Sequence, residues 1–322
     1  MPGTPLERRL QFVTGKGGVG KTTVAAALAL LLARRGRRTL AVEMDAAGRL
    51  PALLGGTASA TPREVRPGLH VLAVDGRTAL EEYLGMIIPV KRLLASVFSS
   101  RVYQYFVAAA PGLKELMTVG KIWFEATREE AGRPAWDAVI VDAPATGHGL
   151  QYLRMPQAAM EAFGAGLVQR EAKRIVDLLR DARTTAVHLV TLAEDMPVTE
   201  ALEARTELTQ KLGLPLGHVV VNRFHDRHFA AGALARLGTA VAQASGAEHA
   251  LLESVAARAA EEQGWSDINA EHLGRLEAAV GAVVTLPFVF AEEFDAGCVA
   301  RLSELLEHAV GGGRAVTARR AR

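Results

Sequence analysis

Two lysines, Lys16 and Lys21, lie among Gly15, Gly17, Gly18 and Gly20 in a run that closes with Thr22 and Thr23. Glycines at this spacing let the backbone turn so tightly that its N–H groups converge on a phosphate. A helix beginning near Lys21 adds its positive dipole end at the same point. Lys21 sets a full charge against the β- and γ-phosphates, the Thr22 hydroxyl is placed to ligate Mg²⁺, and Val19 and Thr23 complete the loop. The chemistry predicted is binding and hydrolysis of a nucleoside triphosphate. A glycine-rich turn with an incidental lysine is the bland alternative, and the flanks argue against it. Residues 10–14 form an apolar, strand-like run, and residues 24–33 form a helical one closed by Arg34, Arg35 and Gly36.

Other short apolar runs, at 38–44, 69–74, 136–141, 186–192, 218–221 and 282–286, alternate with helical stretches. Strands buried on both faces imply a doubly wound, mostly parallel sheet with helices on both sides, here as a single domain over residues 1–322. Residues 78–128, broken at Pro89 and Pro111-Gly112, and a long helix over 157–183 read as an α-helical elaboration beside the phosphate loop. Asp142 ends the strand Val139-Ile140-Val141, where nucleotide hydrolases of this class keep the acid that holds the Mg²⁺ water shell. Residues 143–150 follow as a small-residue loop suited to sensing a γ-phosphate, in which His148 is either a switch residue or a satisfied loop histidine. Asp45 ends the 40–44 strand as a second acid near the phosphates, or as a turn or N-cap aspartate.

Composition bounds the partners. The chain has 322 residues, 49% apolar content and a formal charge of +2. The charge is spread evenly, which argues against a nucleic-acid surface, and the basic tail 311–322 reads as disordered. One cysteine, Cys298, excludes an internal disulfide and fits a reducing compartment. With no signal core and no apolar run of about 18 residues, a cytoplasmic location is expected.

The ordered set of Gly15 to Thr23, Glu43-Met44-Asp45, residues 142–156 (DAPATGHGLQYLRMP), Val219-Val220-Val221-Asn222-Arg223 and Leu286-Pro287-Phe288 resembles the ArsA-type ATPases. These include the arsenical pump-driving ATPase and the factor that delivers tail-anchored membrane proteins, and the likeness is strongest to bacterial single-domain members. The resemblance implies an ATP- and Mg²⁺-dependent dimer of identical chains or of paralogues. It implies that Asp45 orients the attacking water, that Lys21 and Lys16 bind phosphate oxygens with Lys16 reaching across the dimer, and that Thr22 and Asp142 organise the metal, Asp142 through water. Asn222 would then meet the adenine edge and Pro287 and Phe288 its ring. On residues alone, Asn222 could equally be a turn former and the Pro-Phe pair core packing.

The departures from that pattern matter too. Asp45-Ala46-Ala47-Gly48 lacks the proline and histidine of the family's first switch, Cys298 alone cannot bind a metalloid, and the zinc-binding Cys-x-x-Cys of the eukaryotic dimer is absent. Tyr83, Tyr103, Tyr105, Tyr152, Met86, Met117, Met155 and Met160 gather in the helical region, as a hydrophobic client surface would require. Stripes such as Leu80, Tyr83, Leu84 and Ile87, and Leu93, Leu94, Val97, Phe98 and Val102, suit ordinary core helices or a dimer face equally well. The leading expectation is an ATP-driven dimeric switch acting on a hydrophobic or membrane-protein client. The alternatives are a ParA- or MinD-like positioning ATPase, whose membrane-binding form would need a terminal amphipathic helix, although the amphipathic segment 299–310 precedes the tail and reads as core-facing, and a small-molecule ligase on the same scaffold.

Overall fold

The computed structural model describes residues 4–45, 47–87, 98, 100 and 112–311. In chain order the elements are β1 (Leu10–Gly15), α1 (Lys21–Arg34), β2 (Thr39–Met44), α2 (Arg49–Leu53), β3 (Arg63–Arg66), β4 (Leu69–Val74), α3 (Gly76–Ile87), α4 (Leu113–Thr127), β5 (Glu129–Glu130), β6 (Arg133–Pro134) and β7 (Ala138–Asp142). There follow α5 (Thr146–Ala162), α6 (Leu167–Arg180), β8 (Thr185–Thr191), α7 (Asp195–Thr206), β9 (Leu216–Phe224), α8 (Ala233–Gln243), α9 (Gly246–Val280), β10 (Val284–Pro287) and α10 (Ala296–Val310).

One sheet runs β10-β9-β8-β1-β7-β2-β4-β3, parallel throughout except for the edge pair β3–β4. Every residue of β1, β2, β7 and β8 is buried, as strands covered on both faces must be. On one face α1, apolar from Val24 to Leu32, packs with Val299, Leu302 and Leu306 of α10. The apolar stripe of 299–310 is therefore spent in the core rather than presented to a membrane. On the other face Val119 and Ile122 of α4, Leu153 of α5 and Ile175 and Leu179 of α6 cover Phe12, Val139 and Val141. Among the described residues no helix is long and apolar enough to cross a membrane.

The helical elaboration departs from the sequence expectation in two ways, while one stripe keeps the core-helix reading. The single helix over 157–183 is instead two: α5 starts eleven residues earlier at Thr146, directly behind the 143–145 loop, and the chain breaks at Phe163 to Gly166 before α6. Leu80 and Leu84 of α3 pack on Phe98, Leu113 and Met117, so that part of the stripe is interior. The other stripe apart from Phe98, and the breaks at Pro89 and Pro111, lie outside the described residues, as do Tyr103, Tyr105 and 312–322 of the tail. A third helical unit, α8 with α9, was not anticipated.

The sheet also buries a histidine. His188 of β8 accepts a hydrogen bond at Nδ1 from the His218 backbone N–H at 3.0 Å, so its Nε2 carries the proton and faces Gln11 Oε1 at 3.1 Å. Only the neutral ring satisfies both contacts, and burial, with His218 and Arg8 nearby, pushes its pKa down to about 3. Because the folded-state value lies below the unfolded one, the stabilisation is complete above about pH 6.5 and is lost as pH falls. Urea unfolding at pH 5 is expected to show about 2 kcal/mol less stability from this group than at pH 7. His188→Gln, which cannot titrate, should flatten that part of the acid slope.

Candidate functional site

The expected site residues lie at or just beyond the C-terminal ends of β1, β2, β7, β9 and β10, the edge where an open α/β fold places its ligands. The phosphate loop is held by close backbone approach on two sides. A Cβ at Gly15 would lie 2.1 Å from the Val190 carbonyl of β8, and one at Gly20 would lie 2.2 Å from Asn222 Nδ2. Gly20, at φ +91°, stands at the N-cap of α1 without a side-chain cap, so the first N–H groups of that helix remain available to an anion. Asn222 ends the buried part of β9 and donates from Nδ2 to the Val19 carbonyl at 2.9 Å. It is a strut beneath the loop, which goes beyond the turn-former alternative.

The two lysines face different ways. Lys21 donates to the Lys16 carbonyl at 2.9 Å across the mouth of the loop. Burial lowers its pKa, against the pull of Asp142. Lys16 points outward and pairs with Glu200 of α7 at 2.6 Å, the two side chains being 34% and 32% exposed. α7 is itself fastened to α9, through Arg275 to Asp195 at 2.7 Å and to Thr199 Oγ1 at 2.9 Å.

Asp142 is 7% exposed, and its Oδ1 has no hydrogen-bond partner. Burial pushes its carboxyl up to about 6, while the Thr22 hydroxyl and the Lys21 ammonium pull the other way. A dry carboxyl with an open oxygen beside the Thr22 hydroxyl offers oxygen ligands of the kind a hard dication takes.

Glu43, in register with Asp142 on the neighbouring strand, is a second buried acid. Its carboxylate accepts from the N–H groups of Gly48, Arg49 and Leu50 at 2.7, 2.8 and 3.1 Å and so caps α2. Asp45 is thereby relieved of capping: it sits exposed in the left-handed region at φ 65°, and its Oδ1 accepts from the Tyr152 hydroxyl at 2.5 Å. The N-cap alternative for Asp45 does not hold.

On the far side of the loop, Phe288 is 37% exposed and therefore not core packing. Its ring lies 5.1 Å from His225, which in turn lies 6.0 Å from Trp265 of α9. Asn269 of α9 accepts from the His225 backbone N–H at 2.9 Å and donates to the Ala193 carbonyl at 3.1 Å. Sequence reasoning missed Glu43 as a structural acid, Glu200, Tyr152 as a partner of Asp45, and this aromatic flank. A carboxylate inside the otherwise apolar 39–44 strand was the one available signal. The phosphate loop, Asp142 and Asn222 are brought together as expected, and Pro287 ends β10, two strands beyond β8.

The model of the anion-transporting ATPases matches residues 8–169. ATPase BagA of Mycobacterium tuberculosis is 38% identical over 229 residues, covering 68% of this chain and 66% of its own. The arsenical pump-driving ATPase of Escherichia coli is 29% identical over 235 residues, 66% of this chain and 38% of the pump. A putative arsenical pump-driving ATPase of Halobacterium salinarum is 28% identical over 233 residues, 67% of this chain and 35% of its own. The match thus spans just under two thirds of the mycobacterial relative and little more than a third of the pumps.

Asn222→Ala leaves the buried Val19 carbonyl without a donor. It is expected to lower the unfolding free energy by about 1–3 kcal/mol in urea titration and to weaken binding of a fluorescent ATP analogue. Native-like stability of the variant would refute the strut.

Proposed function

This chain belongs to the anion-transporting ATPase family, and from that premise we propose that it is a Mg²⁺-dependent, ATP-hydrolysing dimeric switch whose nucleotide state governs a helical surface for a hydrophobic or membrane-protein partner. The observation that carries the reading is the divergence of the two loop lysines. Lys21 closes over its own phosphate cradle, whereas Lys16 stands at the rim, held among the described residues by an ion pair about one third exposed.

In this reading the loop N–H groups and Lys21 grip the β- and γ-phosphates. Thr22 and Asp142 would hold the metal ion, which neutralises phosphate charge when bound. Asp45 orients the attacking water. Lys16 of each protomer leaves Glu200 and meets the partner's nucleotide, supplying charge as a trans-acting finger does. With one N–H of its amide given to Val19, Asn222 keeps its carbonyl oxygen for the base, which suits the amino edge of adenine. Pro287 and Phe288 border the ring.

The partner surface is proposed where α5 gives way to α6. Phe163, Leu167 and Val168 are 52%, 47% and 41% exposed there, where α5, which packs on β1, meets α6, which packs on β8. Whether the second protomer is identical or a paralogue, the trans contact is the same. Metalloid transport is not proposed, since Cys298 has no thiol neighbour to complete a soft site.

Lys16→Ala is expected to lower ATP turnover by at least about 10²-fold while ATP affinity changes little. Light scattering should show a mass increase with ATP in the native chain. Turnover equal to native in Lys16→Ala, or a mass unchanged by saturating ATP, would end the dimeric reading. Glu200→Gln, which weakens a partly exposed pair, should favour the ATP-bound dimer by about 2- to 5-fold.

A further inference from the structure

Asp45 is the acid that this reading assigns to the attacking water, yet nothing in its own loop secures it. The backbone there is left-handed, the side chain is exposed, and the three N–H groups that would anchor a neighbouring carboxylate are taken by Glu43. An exposed aspartate in that setting samples several rotamers, and a water held by one rotamer is lost in the others. The described contact that fixes its carboxylate comes from another element: the Tyr152 hydroxyl donates to Oδ1 at 2.5 Å. That distance is at the short end of the range for a hydroxyl bonded to a carboxylate, the stronger class of hydrogen bond.

Tyr152 is well placed to act as a fixed point. Its ring is half-buried and packs against the main core beside Leu153, and it lies in the second turn of α5. That helix starts four residues after Asp142, so one short segment carries both the proposed metal acid and the group that grips Asp45. Burial, followed by the bond to Asp45, raises the pKa of the phenol, so it remains a donor and does not compete as a base. Tyr152 thus takes one carboxylate oxygen and leaves the other to address a water.

We propose that Tyr152 is a positioning residue for hydrolysis: its hydroxyl, carried on α5, fixes the Asp45 carboxylate in the orientation that presents the attacking water. The inference rests on the assignment of Asp45 given above and adds a residue to that step.

The test is steady-state ATP hydrolysis by full-length native protein, Tyr152→Phe, Asp45→Asn and the double variant. Tyr152→Phe keeps the ring and its packing and deletes only the hydroxyl, and an unchanged thermal midpoint will confirm that the fold is intact. Tyr152→Phe is expected to lower kcat about 10-fold with KM for ATP within about 2-fold of native, because an interaction used only in the chemical step is lost. In the Asp45→Asn background the same change should have little further effect, because the two residues act as one unit. A native kcat in Tyr152→Phe alongside an inactive Asp45→Asn overturns the role of Tyr152 and leaves the assignment of Asp45 standing. A native kcat in Asp45→Asn removes that assignment and the proposal with it. A Tyr152→Phe defect that appears in KM, or that persists undiminished in the double variant, marks a merely structural tyrosine and also overturns the proposal.

Discussion

The site depends on a shortage of space around one loop. At Gly15 the chain leaves β1 so close to the β8 backbone that a single methyl group would overlap a carbonyl, and at Gly20 it turns onto α1 directly above the Asn222 amide. These contacts leave the loop little freedom to relax, so its N–H groups stay convergent without a ligand. The Lys21 ammonium, bonded to the Lys16 carbonyl, ties the start of α1 back to the loop. Preorganisation of this kind is what lets a loop bind a triphosphate without ordering itself at that moment.

Two carboxylates in neighbouring strands are buried for opposite ends. Glu43 accepts from three backbone N–H groups and serves architecture, whereas Asp142 keeps an oxygen unpartnered beside the loop. Burial raises the cost of ionising Asp142, and the register across β2 and β7, which sets Glu43 beside it, adds to that cost. Orphaned acceptors are rare in protein interiors, and one at the mouth of a phosphate loop marks a place where the fold gives up stability.

What could be foreseen from residues alone divides along physical lines. Strands buried on both faces are continuous apolar runs, so 10–14 and 69–74 were legible nearly to the residue. The glycine–lysine loop was legible because its chemistry is local. The α8–α9 unit was not, and its pattern explains why. α8 buries no side chain, and α9 buries Ala259, Ser266, Asn269 and Leu276, two of them polar, so no apolar stripe advertises the helix. The split of 157–183 went unseen because the glycines at 164 and 166 lie within a stretch otherwise rich in helix formers. Pairings across long sequence separations, such as Tyr152 with Asp45 or Glu200 with Lys16, leave no local trace at all.

The long helix α9 has a mechanical consequence. Its C-terminal half is pinned through Asn269 and Arg275 to the Ala193 loop and to α7, the element that restrains Lys16, while its first turns, up to Arg258, bury no side chain and lie alongside α8. His225 also holds the helix at Glu262, and from there to its start the rise is about 24 Å, so a tilt of about 5° at the pinned end sweeps the tip through about 2 Å. The arrangement is that of a pointer hinged at the nucleotide's doorstep: a displacement too slight to disturb the sheet becomes, at the far end, a shift as wide as an atom.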